Sequence, residues 1–187
     1  MTKKYNSVLI IGMGLIGSSI SRALVENHVA NSVYGLDTND KIIKKCHDLN
    51  LLVQGGTNLN NFDVQFDLII ICTPLSAYKN IFSSLSDFIS QPTLITDVGS
   101  TKMSTISDFK NAVTNNNITF VPSHPIAGLE KSGPEYGFSK LFDNRYCILT
   151  PYETNDAATF SISEMWKSIG MTVELMEADR HDRVLAM

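Results

Sequence analysis

No stretch of this sequence is apolar for long enough to cross a membrane. The longest strongly apolar run, Leu68 to Cys72, falls far short of the ~20 residues a spanning helix needs. Charge runs are lacking too: the basic residues are scattered and the net charge is −4, which leaves no electrostatic footprint for a nucleic acid. Cysteine is scarce. Cys46, Cys72 and Cys147 are odd in number and widely spaced, so they form neither a metal-ligand pattern nor a disulfide framework. Cys72 and Cys147 fall in apolar, strand-like runs and read as inert core residues. Met1-Thr2-Lys3-Lys4-Tyr5-Asn6 leads directly into a strand pattern, so no signal peptide is expected. A reduced, cytoplasmic setting is the default expectation. There is no internal repeat, and low complexity is confined to Asn115-Asn116-Asn117. What is present is 43% apolar and 18% charged residues over 187 positions, enough for one well-cored α/β domain with little left over.

The chain is organised around Val8-Leu9-Ile10-Ile11-Gly12-Met13-Gly14-Leu15-Ile16-Gly17-Ser18-Ser19. An apolar β-prone run enters a glycine-rich turn and a helical pattern leaves it, the order of a dinucleotide-binding G-x-G-x-x-G turn. Gly12 suits the tight turn, Gly14 the close approach of a pyrophosphate, and Gly17 close packing of helix on sheet. The N–H groups at the helix start, including those of Leu15 and Ile16, favour the phosphates' negative charge. The second apolar run ends in Asp37, ~20 residues beyond the last glycine, where a carboxylate accepts hydrogen bonds from ribose hydroxyls and repels a 2′-phosphate. Thr38, Asn39 and Asp40 follow, with no arginine. The reading is therefore NAD in preference to NADP.

Strand and helix patterns then alternate. Helices are expected over 15–28, from Asn39 or Asp40 to about Asn50, and over 76–89, 101–113 and 155–169. Strands are expected over 32–37, 67–73, 93–98, 118–122, 145–150 and 171–176, and Gln54-Gly55-Gly56 reads as a turn. This alternation predicts an α/β fold: a Rossmann-type doubly wound, mostly parallel sheet with helices on both faces. Ligands of such sheets lie at the carboxyl ends of strands. That rule selects the glycine turn, Asp37, Thr73-Pro74, Asp97-Val98-Gly99-Ser100-Thr101-Lys102 and Ser123-His124-Pro125-Ile126-Ala127-Gly128. Asp179 reads as the cap of a last helix over 180–187, with Asp182 near its positive end. A helix of about two turns is marginal alone. The expectation is a dinucleotide-binding domain over 1–177, with 178–187 opening a second, helical domain.

The glycine turn, Gly99-Ser100-Thr101-Lys102, His124-Pro125-Ile126-Ala127-Gly128-Leu129-Glu130-Lys131-Ser132-Gly133 and His181-Asp182 together resemble the prephenate/arogenate dehydrogenase family of tyrosine biosynthesis. The resemblance covers that family's N-terminal, cofactor-binding domain. It implies NAD-dependent oxidative decarboxylation of prephenate to 4-hydroxyphenylpyruvate, or the arogenate version giving tyrosine. It also implies a following helical domain that forms a homodimer and completes the substrate pocket. His124 is the candidate catalytic residue, a neutral imidazole accepting a hydrogen bond from the substrate's 4-hydroxyl. Ser100 would position His124, the nicotinamide or that hydroxyl, or cap the following helix. Gly99, Thr73 and Pro74 would line the cofactor cleft, while Glu130 and His181 would lie on the substrate side. Lys102 reads as structural or as a weak partner of an anion; His28 and His47 read as surface residues and Trp166 as core. The family's substrate-binding arginine from the helical domain has no match here: Arg145, Arg180 and Arg183 are poor substitutes by position. The 187-residue chain is thus expected to bind NAD and to turn over prephenate weakly or not at all. The competing reading is a non-catalytic NAD-binding module.

Overall fold

The computed structural model describes residues 5–153 and 155–185. The first four residues, Thr154 and the last two positions of the expected final helix, Ala186 and Met187, lie outside the described residues. β1 (Tyr5–Ile11), β2 (Ala30–Leu36), β3 (Gln54–Gly56), β4 (Leu68–Ile71), β5 (Thr93–Asp97) and β6 (Ile118–Val121) form one sheet in the order β3-β2-β1-β4-β5-β6. Every pairing in it is parallel. The connections carry α1 (Leu15–Glu26), α2 (Asp40–Asp48), α3 (Tyr78–Phe88) and α4 (Met103–Ala112). The chain then leaves the sheet at Pro122 and builds a second one. β7 (Ser123–Pro125) pairs antiparallel with β8 (Tyr146–Leu149), which pairs parallel with β9 (Thr172–Leu175). α5 (Asp156–Ser168) connects β8 to β9, and α6 (Ala178–Leu185) closes the described chain.

Alternation explains the core. In β1, Val8 and Ile10 face one apolar cluster, with Ile20 and Leu24 of α1 and Trp166 of α5. Leu9 and Ile11 face the other, with Tyr78, Phe82 and Leu85 of α3 and Phe109 of α4. β4 repeats this, Leu68 and Ile70 against Ile69 and Ile71. A strand covered on both faces must be apolar throughout, which is why Leu68–Ile71 reads as an unbroken run.

The structure corrects several expectations. Gln54-Gly55-Gly56 is an edge strand rather than a turn, in register with Tyr34, Gly35 and Leu36. Its glycines answer close packing: a Cβ on Gly55 would lie 2.7 Å from Ile43 Cγ2, and one on Gly56 2.7 Å from Asn61 Oδ1. β7 was not expected; three residues ending in proline carry no periodic signal. α1 stops at Glu26, and His28 turns the chain with φ 55°. α6 begins at Ala178, so Asp179 sits inside its first turn, ion-paired with Arg183, rather than capping it. Asp182 serves a different helix, described below.

Candidate active site

In a parallel sheet all carboxyl ends share one edge, and the loops diverge where strand order reverses, here between β1 and β4. A cleft of about 890 Å³ opens at that point, lined among others by Gly12, Gly14, Asp37, Thr73, Pro74 and Ile81. Gly12 has φ +93°, and a Cβ there would stand 2.7 Å from the Cys72 carbonyl oxygen. A Cβ on Gly17 would stand 2.1 Å from the Gly12 carbonyl oxygen, so the turn and α1 pack too closely for any side chain. Gly14 differs: a Cβ there would meet nothing within 4 Å. The fold itself does not require that glycine. What it leaves open is a cradle at the start of α1, whose first turn has neither a side-chain cap nor an acidic residue. Unfilled N–H groups and the helix dipole suit a phosphate there.

Asp37 accepts the Met13 N–H at 2.9 Å on one carboxylate oxygen and the Asn39 N–H at 2.9 Å on the other. These bonds fix the carboxylate at the end of β2 and leave lone pairs free for ribose hydroxyls. Thr73 Oγ1 is buried and has no hydrogen-bond partner among the described residues, an orphan acceptor or donor beside the cleft. The open cradle, the fixed carboxylate and the orphan hydroxyl all fit a dinucleotide. Leu15 is buried, and its carbonyl receives the hydroxyls of Ser18 and Ser19, which tightens the helix start; Ile16 is half-buried.

A second group of polar residues lies where β6 gives way to β7. Asp97 and Lys102 are both fully buried and paired at 2.6 Å. The Lys102 ammonium also donates to the Ser123 carbonyl at 2.7 Å, and Asp97 accepts the Ser123 N–H at 3.0 Å and the Gly99 N–H at 2.9 Å. The Trp166 indole donates to Ser123 Oγ at 3.1 Å. Asp97, Lys102 and Trp166 thus pin Ser123, at the turn that delivers His124. Trp166 is core, as expected, with a polar handle in use. Lys102 meets no open cleft and is structural.

His124 is half-buried. Its Nδ1 lies 2.9 Å from His181 Nε2, and His181 Nδ1 lies 2.7 Å from Asp182 Oδ1. His124 Nε2 has no hydrogen bond among the described residues and is not a buried orphan, so it faces solvent. Burial, then the charge of Lys102 and the neighbouring His181, push His124 down to about 4, against the pull of Asp182. It is therefore neutral at pH 7. Burial alone would raise Asp182, but the Lys102 and Met103 N–H groups and His181 outweigh it and hold the carboxyl below its ordinary value.

The structure brings His124 and His181 together, though His181 stands behind His124, fully buried, with both ring nitrogens engaged. That arrangement does not suit a direct substrate contact. Ser100 is exposed between β5 and α4, beside Gly99. It does not cap α4, which starts at Met103; Asp182 reaches across from α6 to accept the Lys102 and Met103 N–H groups at 2.7 and 2.9 Å. Glu130 is exposed on the loop between β7 and β8. The sequence places Asp97 and Ser123 at strand ends and Asp182 near the start of the last helix, but it assigns none of them the partners seen here. The signal for the first was available: a carboxylate ending an apolar strand needs a cation, and Lys102 stands five residues on.

A family model described as "Prephenate dehydrogenase, nucleotide-binding domain" matches residues 20–175. The glycine turn lies just before that span and His181 just after it. A cyclohexadienyl dehydrogenase of Zymomonas mobilis is 33% identical over 98% of this chain and 62% of its own length. A prephenate dehydrogenase of Bacillus subtilis is 30% identical over 100% of this chain and 51% of its own. The solved prephenate dehydrogenase of A. aeolicus, in complex with hydroxyphenyl propionate and NAD+, superposes with a TM-score of 0.89 at 32% identity, over 96% of this chain and 62% of that one. The chain thus spans about half to six-tenths of the length of these relatives.

Proposed function

From the premise that this chain belongs to the prephenate dehydrogenase family, as its nucleotide-binding domain, we propose that it binds NAD and supplies the base for oxidative decarboxylation of prephenate to 4-hydroxyphenylpyruvate. The observation that carries this reading is His124: a neutral imidazole at the strand-end edge of the sheet, gripped at Nδ1 and open at Nε2. NAD is preferred to NADP because the Asp37 carboxylate, fixed by two backbone N–H groups, would lie against any 2′-phosphate.

When bound, the dinucleotide supplies the hydride acceptor. The chain's own part is to hold the 4-hydroxyl of the ring. His124 Nε2 accepts that hydroxyl's hydrogen bond and draws its proton, so the carbon–oxygen bond gains carbonyl character as the ring carboxylate departs as carbon dioxide. The proton returns with the aromatic hydroxyl. Ser100, exposed on the loop after β5, orients the hydroxyl or the nicotinamide, and Thr73 Oγ1 and Gly99 face the cofactor. Glu130 guards the substrate side. In this reading residues 1–177 are the dinucleotide-binding domain and those from 178 onward open a helical domain. That domain would complete the carboxylate site and form a homodimer; the relatives have room for such a domain, since this chain matches 62% and 51% of their lengths.

Calorimetric titration of the chain with NAD and NADP tests the cofactor assignment: NAD is expected to bind and NADP to bind at least tenfold more weakly. For the chemistry, His124→Asn should abolish turnover of prephenate while leaving NAD affinity unchanged; turnover surviving the change would remove His124 from the role. Arogenate presents the same ring to His124 with an amino group in place of the keto group, so the assay is run with both.

A further inference from the structure

The proposed reaction needs a lone pair on His124 Nε2, yet a neutral histidine can place its proton on either nitrogen. We infer that His181 and Asp182 are positioning residues which hold the proton of His124 on Nδ1, so that Nε2 is always the acceptor. This deepens the reading that His124 is the base, and rests on it for its purpose but not for its geometry.

The assignment follows from one group that has no choice. Asp182 receives two backbone N–H donors at the start of α4, on Oδ1 from Lys102 at 2.7 Å and on Oδ2 from Met103 at 2.9 Å. A carboxylate held by donors stays ionised and can only accept. The atom 2.7 Å from its Oδ1, His181 Nδ1, must therefore carry a proton. His181 is fully enclosed, and a neutral imidazole carries a single proton, here the one on Nδ1. Its Nε2 is then a bare lone pair. At 2.9 Å from that lone pair, His124 Nδ1 must be the donor, because two lone pairs cannot share that distance. His124 Nε2 is left unprotonated and open to solvent. The polarity of the whole line is thus set by the N-terminus of α4. Charged groups bearing on the His124 ring are Lys102 from the loop before α4 and Asp182 from α6, with Asp97 of β5 paired to Lys102.

Long-range ¹H–¹⁵N correlation on the uniformly ¹⁵N-labelled chain at pH 7.5 reads each imidazole nitrogen directly. Both His124 and His181 are expected to show a protonated Nδ1 and a bare Nε2, the tautomer less common for histidine free in water. Asp182→Ala removes the acceptor, so His181 should move its proton to Nε2 and drive His124 to the Nε2–H form; the Trp166 indole resonance reports whether the turn at Ser123 is intact. A proton on Nε2 of His124 in the unaltered chain, or a doubly protonated His181, would overturn the inference. So would unchanged tautomers in a folded Asp182→Ala chain. Since the spectrum is recorded without cofactor or substrate, the relay stands or falls separately from the activity of His124.

Discussion

At the scale of single residues, the three glycines of the turn do different work, and alanine separates them. Gly14→Ala places a methyl group in open cleft, with backbone angles of φ −75° and ψ −155° that alanine tolerates. The thermal midpoint should stay unchanged while calorimetry shows NAD affinity reduced at least tenfold. Gly17→Ala drives a methyl group to 2.1 Å from a backbone oxygen. It should destabilise the fold by about 1–3 kcal/mol, seen as an earlier urea midpoint. Lys102 makes the opposite kind of case. Removing its ammonium leaves Asp97 as an uncompensated buried charge, so Lys102→Met should lower stability by about 3–5 kcal/mol. Adding Asp97→Asn removes the stranded charge, and much of the loss should be recovered.

At the scale of elements, helix starts differ in where their caps come from. α2 is capped locally: the Asn39 side chain accepts the Lys41 N–H at 3.0 Å. Asn39→Ala should reduce stability by about 1 kcal/mol, measurable by denaturant unfolding, with little effect on the active site. That cap was legible because it lies one residue ahead of its helix. The cap of α4 was not, since it comes from Asp182, some 80 positions along the chain. The long two-faced strands and amphipathic helices announce themselves by period. β3 and β7 do not: three residues each are too short to show alternation, and they exist because a neighbouring edge offers partners.

At the scale of the whole molecule, the parallel sheet, its two covered faces and the second small sheet converge on one buried junction, and that junction titrates. His124 is held at about 4 in the folded chain, below its ordinary value near 6.5. Between those values the unfolded chain binds more protons than the folded one, so this contribution to stability is complete above about 6.5 and is lost as pH falls toward 4. The thermal midpoint should decline across that window, and His124→Asn should flatten the decline. Activity, where measured, should hold its acid side well below the pH at which an ordinary histidine protonates.

The order of the longer strands and helices, the glycine turn and the strand-end positions of Asp37 and His124 were legible in the sequence. Each is a local pattern: period, turn chemistry, or a position at a strand's carboxyl end. Only the tertiary structure decided that the Gly14 cradle is open, that Lys102 is buried against Asp97, that His181 stands behind His124 with both ring nitrogens engaged, and that Asp182 serves α4. Those facts depend on residues far apart in the chain meeting in a dry interior. There, hydrogen-bond partners and charge states are set by what packs nearby, and no spacing along the sequence records it.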